Sequence, residues 1–353
     1  MKSDVYFVKI DSDRVSSLLK LLKAIDPFSD YKKDEFIPVK LTIGDTKCVY
    51  NLAPDLVKTT ISQIKNKKAK PFLFDTNVMY KGSRLNAIDH LTLAQNKGFS
   101  HSRVGAPFII ADGAFGRDGV EYELDSEYIK KIKIPSFIGM LDNLVVLSHI
   151  TCHMLSGYAG ALKNVAMGMS SKATKQVQHS SLKPHVVEEN CASCGCCIEI
   201  CPVNAISPLT QTLSPKGRGQ GEGYVIDQAK CVGCGECLCV CKFGAIFINW
   251  NEDVDIFSKR MVDTARFILS KFKNSFFINF AFDVTKECDC ISTKNEEIVT
   301  KDIGILASKD ILALEKATLD LINKDKDLLH CDTMFEYAHK KGLGNLEYKL
   351  TEV

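Results

Sequence analysis

The sequence contains no apolar run that approaches the ~18–20 residues needed to cross a membrane, and no signal sequence is visible at its beginning. It also lacks an excess of charge of either sign, because 45 Lys and Arg nearly balance 43 Asp and Glu for a net charge of +2. These absences argue against a membrane span, a nucleic-acid partner and a disordered chain. Fifteen cysteines without a secretory signal indicate a reducing cytoplasm.

Acidic residues are missing from one internal segment. The 45 residues from Asn143 to Val187 contain no Asp or Glu, although they contain four lysines and four histidines. The electrostatic potential of this segment favours an anionic ligand, such as phosphate, a carboxylate or an acidic partner. The alternative interpretation is a buried helix whose histidines are hydrogen-bonded within the protein.

Eight cysteines form two copies of the pattern Cys-x2-Cys-x2-Cys-x3-Cys, forty residues apart. The first copy consists of Cys191, Cys194, Cys197 and Cys201, and the second of Cys231, Cys234, Cys237 and Cys241. This is the spacing of bacterial ferredoxins that carry two 4Fe–4S clusters. A zinc ribbon would leave half of these cysteines without a role, and disulfides would require an oxidising compartment. The oxygen sensitivity of exposed clusters also favours an anaerobic host.

In such ferredoxins three closely spaced thiolates bind one cluster, and the fourth cysteine of the motif reaches the other cluster. This rule assigns one cluster to Cys191, Cys194, Cys197 and Cys241, and the other to Cys231, Cys234, Cys237 and Cys201. Lys242 follows the last cysteine, where ferredoxins usually have proline, which loosens the turn but leaves the ligand intact. The sequence therefore predicts two 4Fe–4S clusters, an electron relay and a redox partner protein that donates or accepts electrons.

The regions on either side of the cysteine motifs alternate between strand and helix patterns. The predicted strands are 5–10, 38–43, 72–74, 108–111, 144–147, 276–282 and 303–306, and the predicted helices are 14–25, 55–65, 87–97, 256–272 and 310–322. This alternation is typical of an α/β fold with a mostly parallel sheet flanked by helices. We expect residues 1–185 and 251–353 to form the α/β domain, with a two-cluster ferredoxin-like α+β domain, residues 186–250, inserted between them. A glycine-rich connection at 208–223 is expected to be a flexible loop.

Polar side chains follow four of the predicted strands. They are Asp45, Asp75 with Asn77, Asp112, and Ser148 with His149. In an open α/β sheet, ligands bind in the crevice beyond the carboxyl ends of the strands. Asp is also common there as a helix cap or turn residue, so the pattern indicates a ligand site only when taken together. Lys81 and Arg84 would add two cations from the loop that follows Asp75.

His149, His153 and Lys163 are the candidate catalytic residues. The two histidines are four residues apart, so on a helix they would share a face, a spacing used by metal-binding pairs. A histidine could act as proton donor or metal ligand, while Lys163, followed by Asn164, would stabilise negative charge. The glycines between His153 and Lys163 would let a ligand approach the backbone closely.

Cys288 and Cys290 form a Cys-x-Cys pair that cannot hold a cluster alone. With Cys152 or a histidine they could bind an additional metal of unknown identity. Reduced cysteines of the core or of a loop are the alternative.

The motifs taken together resemble a known family. They are Asp75-Thr76-Asn77-x2-Tyr80-Lys81-Gly82, Val104-Gly105-Ala106-Pro107, Ser148-His149-x3-His153, Gly160-Ala161-Leu162-Lys163-Asn164 and Cys288-Asp289-Cys290, with the two cluster motifs. Over nearly the whole chain they resemble the uncharacterised iron–sulfur-centre proteins of anaerobic bacteria and archaea, a domain of unknown function with an embedded ferredoxin. The resemblance implies iron–sulfur binding in an anaerobic cytoplasm and no established reaction.

The segment from His153 to Lys163 is also similar to the histidine, glycine-rich turn and lysine of nickel-pincer lactate racemases, in which the lysine tethers the cofactor. This second resemblance implies that a small 2-hydroxy acid or a similar anion binds near Lys163. The leading hypothesis is an iron–sulfur oxidoreductase in which the clusters exchange electrons with this anionic small molecule. The alternatives are a non-catalytic electron carrier or adaptor that docks on a redox partner, and a cluster-based redox sensor.

Overall fold

The computed structural model describes residues 2–10, 13–79, 82–153, 155–179, 183–201, 203–209, 223–231, 236–247, 254–289, 297–324 and 328–353. The predictions made for Lys81, Cys234, Cys290 and most of the 208–223 loop lie outside these residues. None of the helices in the described part of the chain is both long and apolar enough to span a lipid bilayer.

The strands begin and end as follows: β1 Ser3–Lys9, β2 Phe36–Lys40, β3 Lys70–Asp75, β4 Phe108–Ile110, β5 Val120–Glu123, β6 Lys131–Ile134, β7 Asn143–His149, β8 Thr151–His153, β9 Gly157–Ala159, β10 His185–Val186, β11 Ile206–Pro208, β12 Tyr224–Ile226, β13 Ile246–Phe247, β14 Asn274–Ala281, β15 Gly304–Ser308 and β16 Tyr348–Glu352. The helices are α1 Arg14–Ile25, α2 Pro54–Asn66, α3 Ala87–Asn96, α4 His101–Val104, α5 Ala161–Ala166, α6 Lys172–His179, α7 Cys196–Ile200, α8 Glu236–Val240, α9 Val254–Leu269, α10 Ile311–Asn323 and α11 Asp332–Lys340.

Within the described residues the largest sheet has eight strands in the order β16-β1-β15-β14-β7-β2-β3-β4. Neighbouring strands of this sheet run parallel, except that β15 runs antiparallel to both β1 and β14. The predicted α/β fold with a mostly parallel sheet flanked by helices is thus confirmed. The chain enters the cysteine-rich segment after β7 and α6, and it later returns through β14, which pairs in parallel with β7.

The sheet separates two hydrophobic cores, and β7 contributes to both. Leu144 and Val146 belong to the core that contains α9 and α10, whereas Val145 and Leu147 belong to the core that contains α1 and α2. This alternation follows from the two-residue period of a strand, and the complete burial of β7 explains why its sequence is continuously apolar.

The cysteine-rich segment has a separate small core. Strand β10 pairs with β13 and β11 with β12, both antiparallel, and α7 packs against α8. Cys197 and Cys237 are buried in this core together with Ile206, Ile226 and Ile246. The two cysteine motifs therefore lie on neighbouring elements of one small unit.

Candidate active site at the carboxyl edge of the sheet

A cavity of about 570 Å³ lies beyond the carboxyl ends of β2, β3 and β7. From β2 the chain moves outward through β3 and β4, whereas from β7 it continues on the opposite side through β14. The cavity therefore lies where the strand order changes direction, the position at which open α/β sheets bind ligands. The site residues predicted from sequence that line it are Asp45, Asp75, Arg84, Ser148, His149, His153, Lys163, Asn164 and Cys288.

Lys40 is the last residue of β2 and forms the floor of the cavity. Its ammonium lies 3.0 Å from Asp75 Oδ1 and donates to Leu41 O at 2.7 Å and to Asn164 Oδ1 at 2.6 Å. Burial lowers the pKa of Lys40. Burial would raise the pKa of Asp75, but Lys40 and other nearby cations hold it below its ordinary value. The 3.0 Å separation makes Lys40 and Asp75 a buried ion pair.

Asn77 and Asp112 do not line the cavity, although they were predicted as possible ligands. They are buried beside it, where Asp112 Oδ1 accepts hydrogen bonds from the backbone N and the Nδ2 of Asn77 at 2.9 and 2.8 Å. Lys175 on α6 donates to Thr76 Oγ1, Asn77 O and Ser170 O at 2.6, 2.6 and 2.9 Å. These contacts fix the loop after β3 and give Asn77 and Asp112 a structural role.

His149 and His153 do not lie on a helix, so the helical pairing expected from their spacing is wrong. His149 is the last residue of β7, held in the sheet by its pairing with Phe280, and His153 ends β8. A hairpin to β9 follows, in which Gly157 has φ +68°. Cβ at that position would lie 2.4 Å from His330 O, so glycine is required both by φ and by space.

Both ring nitrogens of His149 are hydrogen-bonded to the protein. Nδ1 lies 3.1 Å from Asp289 Oδ1, and Nε2 lies 2.9 Å from Phe282 O. Burial opposes the charged ring, but the charge and hydrogen bond of Asp289 raise its pKa above the ordinary value. The partners of the two nitrogens are a carboxylate and a carbonyl oxygen, so the geometry favours an imidazolium that donates from both nitrogens and has no lone pair to offer a metal.

His153 and His179 are the neutral histidines of the cavity. Burial lowers the pKa of His153 well below its ordinary value and that of His179 to about 4. Ser156 N donates to His153 Nδ1 at 3.1 Å, which places the proton of the neutral ring on Nε2. His179 Nδ1 donates to Lys175 O at 2.8 Å, so its proton is on Nδ1. Both rings pack on Phe257, which brings the two neutral histidines to one wall.

Lys163 reaches the cavity from the first turn of α5. Burial lowers its pKa to about 8, although the charge of Asp289 opposes this effect. The start of α5 is held by Glu315 of α10, a fully buried residue whose Oε1 accepts from Leu162 N at 2.8 Å. Cβ at Gly160 would lie 2.5 Å from Glu315 Oε2, so only glycine allows this contact.

Cys288 lines the cavity, and it is disulfide-bonded. In this state its sulfur is not a thiolate and cannot act as a metal ligand. Across the described residues, no group of three or more His, Cys, Asp or Glu side chains is arranged around a single metal ion.

Four residues that shape the site were not singled out from sequence. Lys40 interrupts an otherwise apolar strand, and this interruption is the feature of the sequence that could have identified it. Lys175 and His179 belong to the segment without acids, whose charge was noticed but whose helix was not predicted. Glu315 lies within a predicted helix, 153 residues after Leu162 of α5, and no local pattern connects the two.

Three cysteines lie close enough to Cys197 to influence its thiol. Burial, and then the charges of Cys191, Cys194 and Cys241, raise the pKa of Cys197 to about 11. These neighbours are the first two cysteines of the first motif and the last cysteine of the second motif. Backbone N–H groups also donate to two cysteine sulfurs at 3.2 Å, Ala205 to Cys201 and Ala245 to Cys241, each four residues after the cysteine.

Comparisons with known proteins identify a family but no activity. The model of a family described as a domain of unknown function, DUF362, matches residues 37–320. No curated protein matches the sequence. Among solved structures, the lactate racemase apoprotein from Thermoanaerobacterium thermosaccharolyticum is 14% identical to this chain, with a TM-score of 0.42. The match covers 80% of this chain and 51% of the racemase chain. A protein from Thermotoga maritima is 12% identical to this chain, with a TM-score of 0.40. The match covers 95% of this chain and 61% of the Thermotoga maritima chain. This chain thus spans about half to three fifths of those proteins.

Proposed function

The chain belongs to the DUF362 family, and we propose that it is an iron–sulfur redox protein in which two 4Fe–4S clusters exchange electrons with an anionic small molecule bound in the cavity at the carboxyl edge of the sheet. The cysteines of the two motifs would hold the clusters, which supply one-electron transfer when bound. The residues of the cavity bind and orient the anion.

The arrangement of the described cysteines supports cluster binding. Cys191, Cys194 and Cys241 lie close enough to Cys197 to influence the pKa of its thiol, and these four cysteines are the set that the crossing of ligands between ferredoxin clusters requires. The N–H groups of Ala205 and Ala245 would stabilise the cysteine sulfurs in the thiolate form. The thiolates of a cubane bind four different iron atoms, so they need not converge on one point as the ligands of a single ion do.

The observation that carries the proposal is the position of α6. Lys175 and His179 of this helix line the cavity, and the same helix packs against α8, which contains Cys237 of the second motif. One helix is therefore shared between the cluster-binding segment and the candidate substrate site. A change of charge in the cluster-binding segment would alter the electrostatic potential in the cavity, and the reverse also holds, because buried charges are weakly screened.

The cavity residues can bind and protonate a reducible anion. Lys163 supplies a positive charge, and the neutral His153 ring presents an N–H from Nε2. His179 packs on the same aromatic ring and completes a pair of neutral histidines in different tautomers. Such a pair can hold or move a proton without a change in the net charge of the site.

The test begins with iron and acid-labile sulfide on anaerobically purified protein. We expect about eight of each per chain, the sum of two cubanes. The midpoint potentials of the clusters are then measured by EPR-monitored titration with and without benzoate as the anionic probe. Bound anion should lower the potential of at least one cluster, because a negative charge disfavours the additional electron.

Lys163→Ala should abolish this shift while iron content and spectra remain those of the wild type. Lys349→Ala removes an exposed lysine of β16 and serves as the charge-matched control. Protein without iron under these conditions would overturn the proposal.

An electron carrier that docks on a redox partner is the second candidate function. Phe243 and Phe247 follow the second motif and are 52% and 46% exposed. Exposed aromatic side chains are enriched in protein interfaces, and these favour a partner that approaches the cluster-binding segment. Clusters whose potentials do not respond to any anion would favour this candidate.

A further inference from the structure

The two cysteine motifs differ in the residue that follows the last cysteine. Pro202 follows Cys201, whereas Lys242 follows Cys241. Because the fourth cysteine of each motif reaches the cluster of the other motif, Cys241 belongs to what is here named the first cluster. The ligands assigned to the first cluster are Cys191, Cys194, Cys197 and Cys241. The sequence difference therefore places a positive charge next to a ligand of the first cluster, where the second has proline.

The side chain of Lys242 is exposed, but its ammonium group contacts another part of the protein. Its Nζ lies 5.9 Å from the centroid of the Phe115 ring, within the range of a cation–π interaction. Phe115 lies in the turn after β4, and the next residue, Gly116, accepts a hydrogen bond from the backbone N of Lys172 at 3.1 Å. Lys172 is the first residue of α6. The ammonium is thus held between the cysteine-rich segment and the turn that contacts α6.

The charge of Lys242 also acts on the first motif, although Lys242 follows the second. Helix α8, which precedes Cys241, packs against α7 of the first motif. Cys194 raises the pKa of Cys196 at the start of α7, and Glu199 adds to this effect. The charge of Lys242 opposes both. Lys242 is therefore close enough to the first motif to stabilise negative charge there.

A cation in this position favours reduction of the first cluster. A cluster gains one negative charge when it takes up an electron, and the charges around it are among the factors that set its potential. Lys230 precedes Cys231 of the second motif, but its Nζ lies 3.9 Å from Asp227 Oδ2, so a carboxylate offsets its charge. The two motifs therefore differ in the electrostatic support that an adjacent lysine gives.

We infer that Lys242 raises the reduction potential of the first cluster and so directs electrons from the second cluster to the first. The inference rests on the proposed function, because it takes the two clusters as given. It adds a direction to the relay and assigns that direction to one side chain.

An EPR-monitored redox titration of anaerobically purified full-length protein tests the inference, since it resolves one one-electron step for each cluster. Cys194→Ser identifies the step of the first cluster. It changes an exposed ligand of that cluster alone, so the step that moves or disappears belongs to the first cluster. We expect this to be the step of higher potential in the wild type.

Lys242→Met should make reduction of the first cluster about threefold less favourable, which is ~28 mV for a one-electron couple. The other step should not change. Lys242→Arg should keep the wild-type potential, because a guanidinium retains the charge and also packs on an aromatic ring. The shift in Lys242→Met should become smaller as salt is added, since an exposed charge is screened by ions.

Lys230→Met is the matched control, because it removes a lysine adjacent to a cysteine of the other motif. It should leave the step of the first cluster unchanged. The inference would be overturned by a first cluster with the lower potential, by an unchanged potential in Lys242→Met, or by equal shifts of both steps. A Lys242→Arg variant that behaves like Lys242→Met would also overturn it.

The outcome is separable from that of the proposed function. Protein that holds no iron would refute the proposed function, and this inference with it, in the metal analysis alone. Two intact clusters whose potentials do not respond to Lys242→Met would refute only the inference.

Discussion

Lys40 and Asp75 form an ion pair across the carboxyl ends of two neighbouring parallel strands, with 3.0 Å between Nζ and Oδ1 and side-chain exposures of 0% and 4%. Gly168 allows Lys40 to adopt this position, because Cβ there would lie 2.5 Å from Nζ. Asn164 joins the pair to α5, since its Oδ1 accepts from Lys40 and its Nδ2 donates to Leu147 O at 2.9 Å. The floor of the cavity is thus a network of buried charge rather than an apolar surface.

Lys40→Met should lower the free energy of unfolding by about 3–5 kcal/mol, because it leaves Asp75 as a buried charge without its closest partner. Urea denaturation at pH 7 measures the change. Lys70→Met is the matched control: the Lys70–Asp34 pair is 55% and 58% exposed, so its loss should change stability by less than about 1 kcal/mol. In the double variant Lys40→Met with Asp75→Leu, the loss should be smaller than the sum of the single losses. Additive losses would contradict the pairing.

Glu315→Gln should remove a pH dependence of stability. Burial raises the pKa of Glu315 from 4.5 to about 7, so the folded state binds more protons than the unfolded state between these values. Wild-type stability should therefore fall, by up to about 3 kcal/mol, as pH rises from about 4.5 to about 7. The difference between wild type and variant is read from urea midpoints across this window. The exposed Glu347→Gln serves as the control, and an unchanged slope in Glu315→Gln would rule out Glu315 as the titrating group.

Asp289→Asn should lower the pKa of His149 to below its ordinary value of 6.5, because burial then acts on the ring without a charged partner. In the wild type the raised pKa means that the pair stabilises the fold below pH 6.5 and that this stabilisation is lost as pH rises through the folded pKa. NMR titration of histidine ring protons, assigned with His149→Gln, measures the shift. Asp142→Asn changes an exposed carboxylate and should leave this resonance unaltered. A His149 pKa that does not respond to Asp289→Asn would refute the imidazolium assignment.

Gly160→Ala should destabilise the protein by about 1–3 kcal/mol, because the added Cβ would lie 2.5 Å from Glu315 Oε2 and 2.6 Å from the Tyr158 hydroxyl, both in a packed interior. The same substitution in a Glu315→Ala background should have a smaller effect, since two of the three closest atoms, the carboxylate oxygens of Glu315, are then absent. Thermal unfolding of the four proteins forms a double-mutant cycle. A coupling energy of zero would show that Gly160 and Glu315 act independently.

The sequence by itself determined the class of fold and the edge of the sheet where the site lies. Helix α1 has the predicted bounds, and most other elements agree within a few residues, because apolar periodicity records which face of a strand or helix is buried. Asp45, Asp75 and His149 were found for a related reason: a strand that ends at a ligand crevice ends in polar residues. The cysteine spacing predicts two clusters without any knowledge of the fold, and the clusters stay a prediction.

Only the tertiary structure decided which of these residues meet and what each one does. The four-residue spacing of His149 and His153 suits a helix, but pairing of β7 with β14 keeps His149 in the sheet and leaves both its nitrogens engaged. Asn164 meets Lys40, and Leu162 meets Glu315, across 124 and 153 residues of chain. Local patterns cannot encode such contacts, because hydrogen bonds and ion pairs depend on distances that are set only when the sheet and its helices assemble.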